Sequence, residues 1–88
     1  PARVALLGNW PNPFNPTTTI AFELPAGMDV TLDIFDVTGR RVARLVDGYR
    51  AAGRHEARFD AGGLATGIYF SRLRAGETVT GRTMVLVR

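Results

Sequence analysis

The sequence predicts an all-β domain, a two-sheet antiparallel sandwich of about seven strands, and three observations predict it. Apolar residues recur with period 2 rather than 3.6. The segments that do so run roughly five to ten residues and favour β-branched and aromatic side chains. Gly, Pro, Asp or Asn separates them about every 8 to 12 residues. With 88 residues, 45% of them hydrophobic, the chain has material for one core, so residues 1–88 read as a single domain.

The first strand is expected at residues 3–7. It leads into NWPNPFNPTTT, residues 9–19, which holds three prolines and every asparagine of the chain. Each proline fixes its own φ and pushes the residue before it, Trp10, Asn12 or Asn15, toward extended backbone. Three amides in the stretch carry no hydrogen, so it cannot pair as a central strand, while asparagine side chains can satisfy its polar groups locally. A stiff arch results, expected to join strands in opposite sheets, with Trp10 and Phe14 plugging the sandwich end. Proline in the middle of N-P-T, residues 15–17, rules out a glycosylation acceptor.

The second strand, 17–24, aligns Ile20, Phe22 and Leu24 on one face, and the third, 29–35, aligns Val30, Leu32 and Ile34. DVTGRRV makes a tight reversal in which Gly39 is free to take positive φ, followed by a short strand at 42–46. DGYRAAG separates that strand from the next. In the strand at 54–60, His55, Ala57 and Phe59 alternate with Arg54, Glu56 and Arg58, so one face is wet. Strands at 68–74 and 78–87, hinged at Ala75 and Gly76, close the domain. Within LATGIYFSRL, Gly67 and Ser71 flank Tyr69 at two residues on either side, as in the tyrosine corner of immunoglobulin-like domains. The fold expected is therefore immunoglobulin-like, with Ser71 where antibody domains carry a cysteine and Tyr69 packing on Phe22, Leu32 and Leu73.

Composition narrows the function classes. The chain has eleven basic residues, all arginine, with no lysine, glutamine or cysteine, which removes disulfides and thiolate chemistry. The net charge is +3, and although Arg40, Arg41 and Arg44 cluster, acids interleave with the other arginines; a mixed solvated face is expected and no nucleic-acid partner. No apolar run approaches the ~20 residues of a membrane-spanning helix. The chain opens on Pro1 with no charged and apolar leader, which reads as a piece cut from a longer precursor.

Catalysis would need a nucleophile with a base, or a metal cluster. His55 and Ser71 are the sole candidates for such a pair, and the strand pattern turns both toward structural roles. Asp29 and Asp33 share a strand face away from the expected core and read as solvated, whereas Asp36 reads as a turn cap rather than a calcium or glycosidase carboxylate. AGG at 61–63 lacks the lysine and helix of a phosphate cradle. No catalytic residue, cofactor or metal is expected.

Four elements in order, NWPNPFNPTTTI, VTGRRV, LATGIYFSRL and a closing basic and apolar strand, resemble the type A C-terminal sorting domain of the type IX secretion system. The immunoglobulin-like domain of the flagellar hook-capping protein is similar. The family's motif positions fall on Pro11, Asn12, Pro13 and Phe14, on Gly39 and Val42, and on Leu64, Gly67 and Tyr69. Its last strand corresponds to GRTMVLVR, with Arg82 where the family often has lysine and then Met84, Val85, Leu86, Val87 and Arg88. The resemblance implies a non-catalytic, monomeric domain at the end of a secreted protein of a Gram-negative bacterium, directing an upstream cargo domain across the outer membrane to the cell surface. Its implied partners are the export and surface-attachment machinery, and cleavage of the domain often follows in the family. The closing strand reads either as the signal itself, taken up by the machinery with Arg82 and Arg88 setting register and Val85 and Val87 as anchors, or as no more than the sandwich's last strand, needed for folding. The competing expectation is an accessory module of a secreted polysaccharide-degrading enzyme, with Phe35, Tyr49 and Phe70 as a sugar platform.

Overall fold

A computed structural model describes residues 2–88. Among them, seven strands follow in chain order: β1 (Ala5–Trp10), β2 (Thr17–Leu24), β3 (Met28–Phe35), β4 (Arg41–Arg50), β5 (Gly53–Asp60), β6 (Gly67–Ala75) and β7 (Thr78–Leu86). All pairings are antiparallel, in a three-stranded sheet ordered β1-β2-β5 and a four-stranded sheet ordered β4-β3-β6-β7. The period-2 pattern decides the inner faces: Ile20, Phe22 and Leu24 from one sheet meet Val30, Leu32, Ile34, Leu73 and Met84 from the other, all buried. At ~1.5 to 3 kcal/mol for each large apolar side chain fully buried, these layers hold together a chain that has no cysteine.

The expected boundaries of β2 stand unchanged, and β3, β5, β6 and β7 shift only at their ends. β1 runs later than expected, ending at Trp10 just before the first proline, because the amides of Asn9 and Trp10 remain available and pair opposite Ile20 and Thr19. A bulge between Leu6 and Gly8 then inverts the alternation. Trp10 consequently lies beside Thr19 on the outer face, 45% exposed, with the Arg54 guanidinium 5.5 Å from its ring centroid. It is not the plug expected there, whereas Phe14, at 2% exposure, is one. The arch also joins neighbours within one sheet, since β1 pairs directly with β2; it does not cross between sheets.

β4 is twice as long as the expected strand. DGYR does not turn, because β3 continues to Met28 and offers a ladder to Asp47, Gly48, Tyr49 and Arg50. Gly48 accommodates this with φ +144°, and the Tyr49 ring lies across Gly27, where a Cβ would meet the ring unless the ring moved aside. Between β3 and β4, Asp36 caps the reversal as expected: its Oδ1 accepts from the Thr38 hydroxyl at 2.6 Å and from the amides of Thr38 and Arg40 at 2.9 and 3.1 Å. These bonds, the Thr38 hydroxyl first, hold the carboxyl below its ordinary pKa. Gly39 takes the positive φ of +86° that the turn requires.

The outer face of the four-stranded sheet departs from the expectation of a solvated aspartate row. Asp33 does face away from the core, but it is 1% exposed. It sits on β3, inside the sheet, between Arg44 of β4 and Arg72 of β6 in register. Arg44 donates through Nε and Nη2 to the two carboxylate oxygens at 2.8 and 3.1 Å, and Arg72 Nη2 approaches to 3.9 Å. Long side chains from both neighbours thus roof a short one, leaving the guanidiniums partly in water. The Arg44 hydrogen bonds hold the Asp33 carboxyl below its usual 3.8, against the upward push of burial.

A depressed folded pKa means that the pair stabilises the domain above the unfolded value and that this contribution is lost as pH falls through the folded one. Asp33→Asn should therefore lower stability by about 1 to 3 kcal/mol near pH 7. The gap from the parent should close as both are titrated to about pH 2, read from urea midpoints across that range.

Candidate functional site

The motif residues other than Gly39 gather at one end of the sandwich, around the last strand. β7 pairs with β6 along its whole length, so Gly67 faces Leu86 and Tyr69 faces Met84. Its other edge is met by the arch. The Phe14 amide donates to the Val85 carbonyl at 2.9 Å, the Val87 amide donates to the Phe14 carbonyl at 3.0 Å, and a parallel bridge joins Phe14 to Leu86. The Asn12 side chain accepts from the Val85 amide at 3.0 Å. Phe14 turns its ring into the core, 6.0 Å from Phe59 of β5. One residue of the first loop thereby ties both sheets to the end of the chain.

The arch is held in turn by Thr18, whose hydroxyl donates to the Pro11 carbonyl at 2.8 Å and accepts from Asn9 Nδ2 at 3.1 Å. The Ala61 amide closes it from the other side, on the Pro16 carbonyl at 2.9 Å. Pro11 and Pro13 are exposed and shape the loop; Asn12 makes the bond to β7.

The corner expected at Tyr69 is present. Its ring is buried and its hydroxyl donates to the Ala65 carbonyl, four residues back, at 2.6 Å. Ser71 is buried beside it, with Oγ donating to the Arg82 carbonyl at 3.3 Å. Val42, Leu64, Gly67 and Tyr69 line a shallow groove of about 510 Å³ together with Ile68 and Val37. Gly39 stands apart from that cluster, in the turn after β3.

The arginines of the closing strand are engaged within the domain. Arg82 Nε donates to the Leu6 carbonyl at 2.7 Å, tying β7 to β1 across the sandwich edge. Arg88 donates from Nε to the Leu64 carbonyl at 2.7 Å and from its amide to Thr66 Oγ1 at 3.1 Å, clasping the loop before Tyr69. Met84 and Leu86 are fully buried, Val85 is half-buried and Val87 exposed.

The family model for the secretion system C-terminal sorting domain matches residues 9–87, which spans this arch, the tyrosine corner and β7. The chain belongs to that family. As a type IX sorting tail, the domain directs its cargo to secretion and the cell surface. Among solved structures, the sorting domain is similar to part of PorZ, an essential bacterial surface component of the type IX secretion system of Porphyromonas gingivalis. Identity is 22%, the TM-score is 0.66, and the likeness covers 97% of this chain and 11% of PorZ. No curated protein matches the chain.

The remaining candidates are dispersed in the sorting domain. His55 lies on β5, stacked on Phe22 at 5.3 Å with Nε2 donating to the Ala51 carbonyl at 2.7 Å, while Ser71 lies in the other sheet with its own partner. Among the described residues no His, Asp and Glu side chains cluster in a metal-binding group, and no helix is long and apolar enough to cross a membrane. Phe35 and Phe70 pair across β3 and β6, but Tyr49 pairs with Asp29, six residues and about 20 Å along β3 from Phe35. The three do not form one platform. What sequence reasoning missed was the bond from Asn12 to β7, signalled only by the presence of asparagine in a proline-rich loop.

Tyr69→Phe should cost about 1 to 3 kcal/mol, since the Ala65 carbonyl loses its buried donor; an unaltered thermal midpoint would show that the corner carries no weight. Asn12→Ala should leave the sheets folded and accelerate hydrogen exchange at the Val85 amide, measured by NMR, before it affects amides in β3.

Proposed function

We propose that the export machinery reads β7 and the arch as one element of this sorting domain. Family membership supports the role of secretion signal carried on a larger cargo and recognised by the type IX machinery. The observation that supports this finer reading is the division of labour along the last strand. Met84 and Leu86 point into the core, whereas Val85 and Val87 point outward and are available to a partner. The backbone edge that a receptor strand would ordinarily use is occupied from Val85 to Val87 by Asn12 and Phe14.

Recognition in this reading passes through outward side chains and the arch surface rather than through simple strand addition at the strand end. Arg82 and Arg88 position the strand from inside, by holding carbonyls of β1 and of the corner loop. The domain works without catalytic groups or a cofactor, as a monomer read in a folded state. Surface attachment of the cargo and removal of the domain would follow recognition.

The test is a reporter protein fused to the domain with Val87 and Arg88 removed, in a bacterium that has the type IX route. Those residues lie beyond β7 but bond Phe14 and the corner loop, so circular dichroism and the thermal midpoint of the purified domain are measured alongside, to separate lost recognition from a loosened fold. The reporter should remain in the periplasm; arrival at the cell surface at the level given by the complete domain would refute the reading.

A further inference from the structure

Apolar side chains are exposed mainly around one region of the molecule. Ile68 and Phe70 of β6 are 47% and 40% exposed, and Val37, in the turn after β3, is 69% exposed. Register places Ile68 beside Val85, and Phe70 beside Phe35, on the outer face of the four-stranded sheet. The row reaches the C-terminal strand at Val85, while Thr83 stands opposite Phe70. In the outward row of β7, Gly81 carries no side chain and lies opposite Arg72, which opens a groove of about 520 Å³ bounded by Phe35, Val37, Phe70 and Arg72.

Arginines outnumber acids beside this row. Arg40 and Arg41 flank it on β4 and the preceding turn, Arg41 directly opposite Phe35, and Arg72 lies over the Phe35 ring at 4.4 Å. The nearby acids are already engaged: Asp33 is buried under Arg44, and Asp36 is saturated by Thr38 and Arg40. Among the described residues Arg41 forms no ion pair, and the other acids of this sheet, Asp29 and Asp47, stand at the opposite end beside Tyr49 and Thr31. An apolar strip with the unpaired Arg41 on its margin matches a protein surface whose apolar centre is rimmed by carboxylates.

We propose that this face, centred on Ile68, Phe70 and Val85 with Arg41 on its margin, is where the protein that reads the sorting domain docks, presenting such an acidic-rimmed apolar patch. The assignment rests on the sorting reading and gives its recognition event a footprint on β6 and β3 as well as β7. Aromatic and arginine side chains are the types that anchor interfaces, and here Phe70 stands at the centre with Arg41 at the margin. The footprint does not require the last strand to leave the sheet.

The experiment uses the same reporter in the type IX host, with surface and periplasmic reporter quantified. The paired change Ile68→Ser and Phe70→Ser should cut surface delivery by about tenfold or more, as expected for truncated interface anchors. Arg41→Glu should cut it several-fold through charge repulsion. Tyr49→Ser, an exposed aromatic at the far end of the same sheet, should leave delivery at the parent level. Thermal midpoints of the purified domains check folding, and if the serine pair unfolds, the single Ile68→Asn change replaces it. Parent-level delivery with either the apolar or the charge change overturns the proposal. Concentration-dependent dimers in sedimentation, abolished by the serine pair, would assign the face to a second copy and overturn it as well. Failure of the sorting reading is distinct: removal of the whole domain would then leave delivery unaffected.

Discussion

Two backbone hydrogen bonds from one residue join the first loop of this domain to the end of its chain. Phe14 donates to Val85 and accepts from Val87, and its ring reaches Phe59 in the other sheet. Much of the site follows from that contact. Because the arch occupies the edge of β7, the strand presents side chains rather than an open ladder at its end. Because the arch is pinned by Thr18 and Ala61, the edge is covered by a loop that has its own supports. The last strand of a sandwich is ordinarily the one most readily frayed. Here it is bracketed by β6, by the arch and by the Arg88 clasp on the corner loop.

The exclusive use of arginine acquires a structural meaning in this setting. A planar guanidinium can stack and donate in a fixed fork, which an ammonium cannot. Arg44 uses the fork on Asp33, Arg72 and Arg54 lie over aromatic rings, and Arg82 and Arg88 reach backbone carbonyls across the fold. Much of the formal positive charge is thus engaged locally, whereas among the described residues Arg41, at the margin of the apolar strip, forms no ion pair.

How much was legible in the sequence follows from the range of each interaction. The alternation in β2 and β3 is a local signal, and it located the core residues correctly. The corner at Tyr69 spans four residues and was legible for the same reason. Turn chemistry at DVTG was readable because Asp36, Thr38 and Gly39 satisfy one another within five positions. DGYR misled because Asp-Gly is a turn signal only where no neighbouring strand offers a ladder, and β3 does offer one. Trp10 misled because a one-residue bulge inverts every face beyond it, and the signal of that bulge in ALLGNW is a single glycine, Gly8, which takes φ +100°.

The sequence by itself determined the fold class, the inward residues of the central strands, the tyrosine corner and the family to which the arch and the closing strand point. These depend on period, on proline and glycine backbone limits, and on short spacings, all of which are properties of neighbouring residues. Only the tertiary structure decided that Asp33 is roofed by arginines from two strands, that Asn12 and Phe14 cover the edge of β7, and that Ile68, Phe70 and Val85 form one strip. Each of these joins residues far apart in the chain, Asn12 and Val85 across nearly its whole length. Register and sheet order set such meetings, and they are fixed when the two sheets close on a common core.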